Sequence, residues 1–210
     1  MNNYNWATKK KEKGPEIGFK ILSDDDMKNV NKVEKSDTNR IYFYTDVDEE
    51  SCLALNRALQ EKSDELRSIS IKNGFGRPTI YLHISSFGGS VFAGISSMDT
   101  ILRLKKDVDI VTIVEGGVAS AGTFLSVVGT KRWMTKNSYM LIHQLASMTW
   151  GKYRELKDDM ENVEVLMDFI RKTYQEYTAV PEDELAQILD HDLWWGSEKC
   201  LEMKLIDKII

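Results

Sequence analysis

The stretch VDIVTIVEGGVASAGTFLSVVG, Val108 to Gly129, decides the fold. Val108 to Glu115 is a short apolar run rich in Val and Ile, which reads as a buried strand. Six of the eight residues from Gly116 to Thr123 are then Gly, Ala or Ser, and an apolar helical segment follows near Ala121 to Val128. Small side chains at such a place let two backbones, or a backbone and a ligand, come very close together. A strand passing into a helix through bare backbone is the repeating unit of α/β folds, whose ligands bind at the C-terminal ends of the strands.

Working outward, RIYFYTDV (Arg40 to Val47) and TIYLHIS (Thr79 to Ser85) are rich in branched and aromatic residues and read as strands. Between them, Leu53, Leu55, Leu59 and Leu66 lie in a helical pattern that breaks into a loop at KNGFGRP, Lys72 to Pro78. After the turn SFGGS, Val91, Ile95, Met98, Ile101 and Leu102 recur at helical spacing, with Ser90 as N-cap. YMLIHQ (Tyr139 to Gln144) is a fourth strand, and helical periodicity then runs from about Lys152 to Tyr177. At ~1.5 Å per residue that helix is close to ~40 Å long, more than one compact domain needs, and a helix of that kind packs on a partner. Pro181 opens a further helix, and SEKCLEMKLIDKII is a short helix running into a strand-like tail. Strands alternating with helices predict an α/β layered fold with a mainly parallel, buried sheet.

The 210 residues are enough for one well-buried domain. A net charge of −5 with both signs intermixed argues against nucleic-acid or membrane-surface binding. No apolar run approaches the ~18 residues of a membrane span, and no hydrophobic segment follows the N-terminal lysines, so a cytoplasmic protein is expected. Residues 1–39 differ from the rest: Lys9, Lys10, Lys11 and Lys13 cluster, Asp24 to Asp26 form an acidic triplet, and large apolar residues are few, as in a solvated arm. Cys52 and Cys200 lie far apart without ligand spacing, which indicates reduced structural thiols and no metal site.

Two Gly-Gly pairs, Gly88-Gly89 and Gly116-Gly117, fall at the ends of strands, as the floor of a cleft would. Neither fits the dinucleotide spacing or carries the Lys of a phosphate-binding loop. Ser120 stands at a strand-to-helix junction, where nearby N–H groups are free to stabilise an oxyanion, although a serine there is an N-cap more often than a nucleophile. Of the three histidines, His83 lies inside a strand and His191 in a charged segment, whereas His143 ends a strand beside a loop and is the best base candidate. Asp190 and Asp192, in LDHDLWWGS, are both attractive as the carboxylate that orients an imidazole, and spacing does not choose between them. The residues alone thus leave open a Ser-His-Asp hydrolase and a ligand-binding α/β domain.

Three stretches taken together resemble the ClpP family, the proteolytic subunits of the Clp protease, within a superfamily that includes the crotonases. They are YLHISSFGGSVFAGISSMDTI (Tyr81 to Ile101), TIVEGGVASAGTFLSVVGTKRWMTKNSYMLIHQ (Thr112 to Gln144) and DLWWGSEKCLEMKLIDKI (Asp192 to Ile209), in the family's order. The resemblance covers residues 40–210 and implies a ClpP/crotonase-like layered α/β fold with a protruding helical handle at about 150–178. It implies Ser120 as nucleophile, His143 as general base and Asp192 as orienting acid, with the backbone N–H groups of Gly89 and Ala121 as oxyanion donors. It further implies a homo-oligomer, a tetradecamer of two stacked seven-membered rings enclosing a chamber, fed by an AAA+ Clp-type unfoldase. ATP is then used only by that partner, and no cofactor is implied for this chain.

Some positions depart from the family pattern. Phe87 stands for the Pro of the S-P-G-G turn, Leu145 for the Pro after H-Q, and a stretch near Asp64 to Arg77 is longer than the family's connection. His191 takes the place of an Arg that, in the family, pairs with an acid across the ring-ring contact, so Asp190 and His191 are assigned to that contact. The tripeptide IGF, Ile17 to Phe19, is like the one by which the ATPases dock, and is read as coincidence on this chain. The alternatives are a specialised viral or phage maturation protease of the same type, a catalytically silent scaffold subunit, and a crotonase-type acyl-CoA enzyme.

Overall fold

In a computed structural model of the chain, the described residues are 33–35 and 38–210. The lysine cluster, the acidic triplet and the IGF tripeptide all lie outside them. β1 (Val33–Lys35) pairs antiparallel with β2 (Arg40–Tyr44), Val33 opposite Phe43, so the sheet starts within the stretch that composition alone gave to the arm. From β2 onward the main sheet is parallel, through β3 (Thr79–Ser86), β4 (Asp109–Ala119), β5 (Lys131–Met134) and β8 (Lys208–Ile209).

Alternation along these strands separates two faces. Ile41, Phe43, Ile80, Leu82, Ile84 and Ile110 are fully buried on one face, each stabilising the fold by ~1.5–3 kcal/mol relative to exposure. The other face carries Tyr42, Tyr81, His83 and Trp133, tied together by rings: Tyr42 stacks on His83 at 4.6 Å and Tyr81 meets Trp133 at 5.9 Å. In the middle of β4, Val111 and Ile113 are buried as well, which is why Val108–Glu115 reads as a continuous apolar run rather than an alternation.

α1 (Glu49–Asn73) starts at Asp48, whose carboxylate accepts the Ser51 N–H at 2.7 Å, and ends at Gly74 in the left-handed region, φ 67°. The stretch near Asp64 to Arg77 is mostly a continuation of this helix, because Gly74, not the polar residues before it, is the first position that stops it. α2 (Val91–Leu104) begins as expected at Ser90, whose hydroxyl accepts the Ala93 N–H.

β4 is longer than expected: it continues through Gly116 and Gly117 to Ala119. The two glycines form a bulge rather than the strand's end. Ile84 of β3 pairs with Val114, but Ser86 pairs with Val118, so β4 carries two more residues than β3 across the same interval. Gly116 takes φ 64° there. Beyond the bulge β4 changes partner on its other side, from β5 to β6 (Tyr139–Leu141), which in turn pairs with β7 (Trp195–Gly196). This switch brings the segments carrying Ser120, His143 and Asp192 to one end of the sheet.

α3 (Ala121–Val127) is buried at all seven positions. α4 (Tyr153–Tyr177) buries only its C-terminal half, at Met167, Ile170, Thr173 and Tyr174, while Tyr153, Met160 and Val165 are exposed. Contact with this chain's own core begins at the half-buried Val163 and deepens at Met167, Ile170 and Tyr174. α5 (Glu182–Leu189) and α6 (Ser197–Glu202) complete the fold. Arg132 on β5 ties the end together: it bonds both Asp207 oxygens, one at 2.5 Å through Nη2, and also the Tyr177 and Lys204 carbonyls.

Candidate active site

Ser120 links β4 to α3 with φ 52° and ψ −132°, a conformation that non-glycine residues seldom adopt. Its side chain makes no capping bond, so the N-cap role that local sequence favours is not the one it fills. It sits instead on a sharp strand-to-helix turn of the kind that exposes a nucleophile. The Ser120 N–H donates to the Leu141 carbonyl at 3.0 Å, and its own carbonyl accepts from the Thr123 N–H at 2.9 Å and the Thr123 hydroxyl at 2.6 Å. That hydroxyl lies 2.7 Å from the buried phenol of Tyr174, whose titration burial pushes well above the ordinary tyrosine value.

The small residues are explained by what surrounds this turn. A Cβ on Gly88 would stand 2.6 Å from the Ser120 Cβ and 2.8 Å from the Ala119 carbonyl oxygen, and one on Gly89 would stand 2.3 Å from the Val47 oxygen. A Cβ on Gly122 would stand 3.1 Å from the Ser86 oxygen. The turn from Ser86 to Ser90 is thus wedged between the Ser120 segment and the chain at Val47, where Val47 N–H donates to Gly88 O and Ser90 N–H to Val47 O. Gly88 and Gly89 have φ 93° and 144°, backbone that glycine supplies without strain. Among the described residues no partner takes the N–H of Gly89 or of Ala121, and both residues line the same cavity as Ser120.

His143 lies two residues beyond the end of β6 rather than on the strand itself, because pairing with β4 stops at Leu141. The segment is still fixed: Gln144 N–H donates to the Leu189 carbonyl at 2.8 Å. His143 Nδ1 is 2.8 Å from Asp192 Oδ1, which leaves Nε2 as the nitrogen free for a proton from elsewhere. The imidazole is mostly covered while the Asp192 side chain is 78 % exposed. Asp190 instead closes α5, its N–H donating to the Ala186 carbonyl, and lines a different cavity with Glu164 and Arg171. His191 lines a third cavity, of about 310 Å³, with Glu184 and Trp195. His83 is buried on the opposite sheet face, Nδ1 3.1 Å from Glu115 and Nε2 3.0 Å from Arg40.

Ser120 and His143 both line a cavity of about 170 Å³ with Ala121, Phe124, Ile170 and Tyr174, although no hydrogen bond joins the two side chains. A larger groove of about 430 Å³ shares Gly89, Val91, Leu145 and Ala146 with it and is also lined by Leu166 on α4. Sequence reasoning missed two contacts here. One is the Thr123–Tyr174 pair; the other is Phe87 against Trp194, edge to face at 5.9 Å over Gly117, which joins the Gly88-Gly89 turn to the segment bearing Asp192. Trp194 could have been suspected from its place two residues after Asp192; nothing local marks Tyr174. Among the described residues no cluster of three or more His, Cys, Asp or Glu could hold a metal ion, and no helix is long and apolar enough to cross a membrane.

The strained serine at the end of a strand, the imidazole that Asp192 holds and the residues bearing the two N–H groups thus line one cavity of an α/β fold. The Clp protease family matches residues 70–210, and the chain belongs to that family. It is 32 % identical over 136 residues to the ATP-dependent Clp protease proteolytic subunit 1 of Streptomyces avermitilis, covering 64 % of this chain and 62 % of that one. It is 32 % identical over 133 residues to proteolytic subunit 2 of Parasynechococcus marenigrum, covering 62 % and 66 %, and 29 % identical over 136 residues to subunit 3 of Streptomyces coelicolor, covering 64 % and 62 %. The matched stretch thus spans slightly less than two thirds of these relatives' own length.

Proposed function

We propose that the chain is a serine endopeptidase subunit that hydrolyses peptide bonds by Ser-His-Asp catalysis. The observation that carries this reading is the His143–Asp192 pair, 2.8 Å apart, beside a cavity that also holds Ser120 in its strained turn. Asp192 accepts a hydrogen bond from Nδ1–H and so fixes the tautomer; Nε2 of His143 takes the Ser120 proton as Oγ attacks the scissile carbonyl, and returns it to the leaving amine. The N–H groups of Gly89 and Ala121 receive the oxyanion, a contribution of ~3–4 kcal/mol per donor in comparable sites. Water then attacks the acyl-enzyme with His143 again as base. The adjoining groove, of about 430 Å³, is the space in which the rest of a peptide substrate would lie.

The subunit works, on this reading, in a homo-oligomer of stacked seven-membered rings, with α4 as the contact between rings and Asp190 and His191 near it. In support, the N-terminal half of α4 exposes Leu156, Met160 and Val165, apolar surface that this chain's described residues leave uncovered. An AAA+ unfoldase delivers substrate and uses the ATP; the relatives' names as ATP-dependent proteases support that partner. A second reading, a silent scaffold subunit, draws on the missing Ser120–His143 hydrogen bond and the exposure of Asp192. Hydrolysis of short fluorogenic peptides by the wild type and by Ser120→Ala, with native mass recorded on the same samples, separates them. Turnover lost in Ser120→Ala at unchanged mass supports the peptidase; an assembled but inactive wild type supports the scaffold.

A further inference from the structure

We infer that Tyr174, acting through Thr123, is a positioning residue for Ser120, holding the strained turn that presents the serine hydroxyl. The inference rests on the proposed nucleophilic role of Ser120. A serine at φ 52° and ψ −132° persists only where its surroundings over-determine it. Here its carbonyl is held twice by one residue, through the Thr123 N–H at 2.9 Å and the Thr123 Oγ1 at 2.6 Å.

Proton counting fixes the direction of the chain. A carbonyl only accepts, so the single hydroxyl proton of Thr123 goes to Ser120 O. Thr123 Oγ1 is therefore the acceptor in its 2.7 Å contact with Tyr174, and the phenol donates. The reverse arrangement would set two acceptor oxygens 2.6 Å apart with no proton between them. Tyr174 is 1 % exposed and Thr123 fully buried, so water does not substitute for either bond. Without the phenol, the threonine hydroxyl has other staggered positions open to it; with it, only the one aimed at Ser120 satisfies both partners. Tyr174 also lines the cavity that holds Ser120, so the same side chain shapes the space in front of the turn and supports the backbone behind it.

The test uses the full chain as Tyr174→Phe, Thr123→Val, their double variant, Thr123→Ser and Ser120→Ala. The readouts are the second-order rate of reaction with a fluorophosphonate probe, amide exchange at Thr123 and Tm. Tyr174→Phe and Thr123→Val should each react about tenfold more slowly than the wild type, with faster exchange at Thr123. The double variant should be no slower than Thr123→Val alone, since Tyr174→Phe keeps the ring that lines the cavity and removes only the bond to Thr123, and Thr123→Ser should keep the wild-type rate. A Tyr174→Phe protein with lowered Tm but wild-type rate has lost only packing, and overturns the inference; so does an additive double variant. If Thr123→Val does not fold, the rates of Tyr174→Phe and Thr123→Ser decide alone. Labelling that persists in Ser120→Ala, or none in the wild type, overturns the nucleophile itself; labelling abolished in Ser120→Ala but normal in Tyr174→Phe overturns the positioning role only.

Discussion

Replacing Gly88 by alanine should damage the site from a residue that contributes no side chain to it. The added Cβ meets the Ser120 Cβ at 2.6 Å, the Ala119 carbonyl oxygen at 2.8 Å and the Ala121 nitrogen at 3.0 Å, none of them the far end of a flexible chain. Two effects add. An L-residue at φ 93° costs about 1–2 kcal/mol, and forcing atoms into a filled space costs about 1–3 kcal/mol more. Gly74→Ala separates them, because Gly74 has φ 67° with nothing within 4 Å of the added atom and so bears the backbone strain alone. Thermal unfolding at fixed protein concentration should show Gly88→Ala lowering Tm by roughly 5–15 °C, and Gly74→Ala by no more than about half of that. The fluorophosphonate reaction should be slowed in Gly88→Ala and unaffected in Gly74→Ala. Equal Tm shifts for the two variants, with normal labelling in both, would refute the claim that this turn is wedged against Ser120.

Asp192→Asn should lower kcat/KM by about 10³–10⁴-fold while leaving Tm within error, because the side chain is 78 % exposed and its partner is the imidazole; steady-state kinetics and unfolding on one preparation check this. Asp207 is pulled up by burial but held below the usual 3.8 by the stronger effect of Arg132, through its side-chain and backbone hydrogen bonds and its charge. The stability this gives is complete above that value and is lost as pH falls through the lower, folded one, so Asp207→Asn should destabilise at pH ~7 and the gap from wild type should close on acidification below 3.8; a gap constant with pH contradicts it. Burial raises the Cys52 thiol and pushes Cys200 up to about 12, so a thiol reagent at pH ~8 should modify neither in the native protein and both after denaturation; rapid native labelling would contradict the burial.

The order of strands and helices was legible because each has a strong local signal: branched residues in Thr79–Ser86, the Ser90 cap, the long periodicity ending at Tyr177. What escaped the sequence depends on long-range pairing. Gly116-Gly117 reads as the end of a strand, and is a bulge because Ser86 of β3 goes on pairing beyond it with Val118, a fact carried by β3 and not by the glycines. His143 and Ser120 could be singled out by position, whereas Asp190 and Asp192 were separated in the sequence only by the family resemblance, because which of them reaches the imidazole depends on where α5 ends. The Thr123–Tyr174 bond spans 51 residues between helices, each residue looking locally like ordinary core. The small residues around Ser120 were visible at once, but their reason lies in the Ser86–Ser90 turn pressed against them.

The most direct test of the account is peptide mapping by mass spectrometry after the wild-type chain has reacted with a fluorophosphonate. The account predicts one adduct per chain, on Ser120 in the segment between Lys106 and Lys131, and its loss in His143→Ala. An adduct on any other residue, or labelling unchanged by loss of the imidazole, would contradict the assignment of Ser120 and His143 as nucleophile and base.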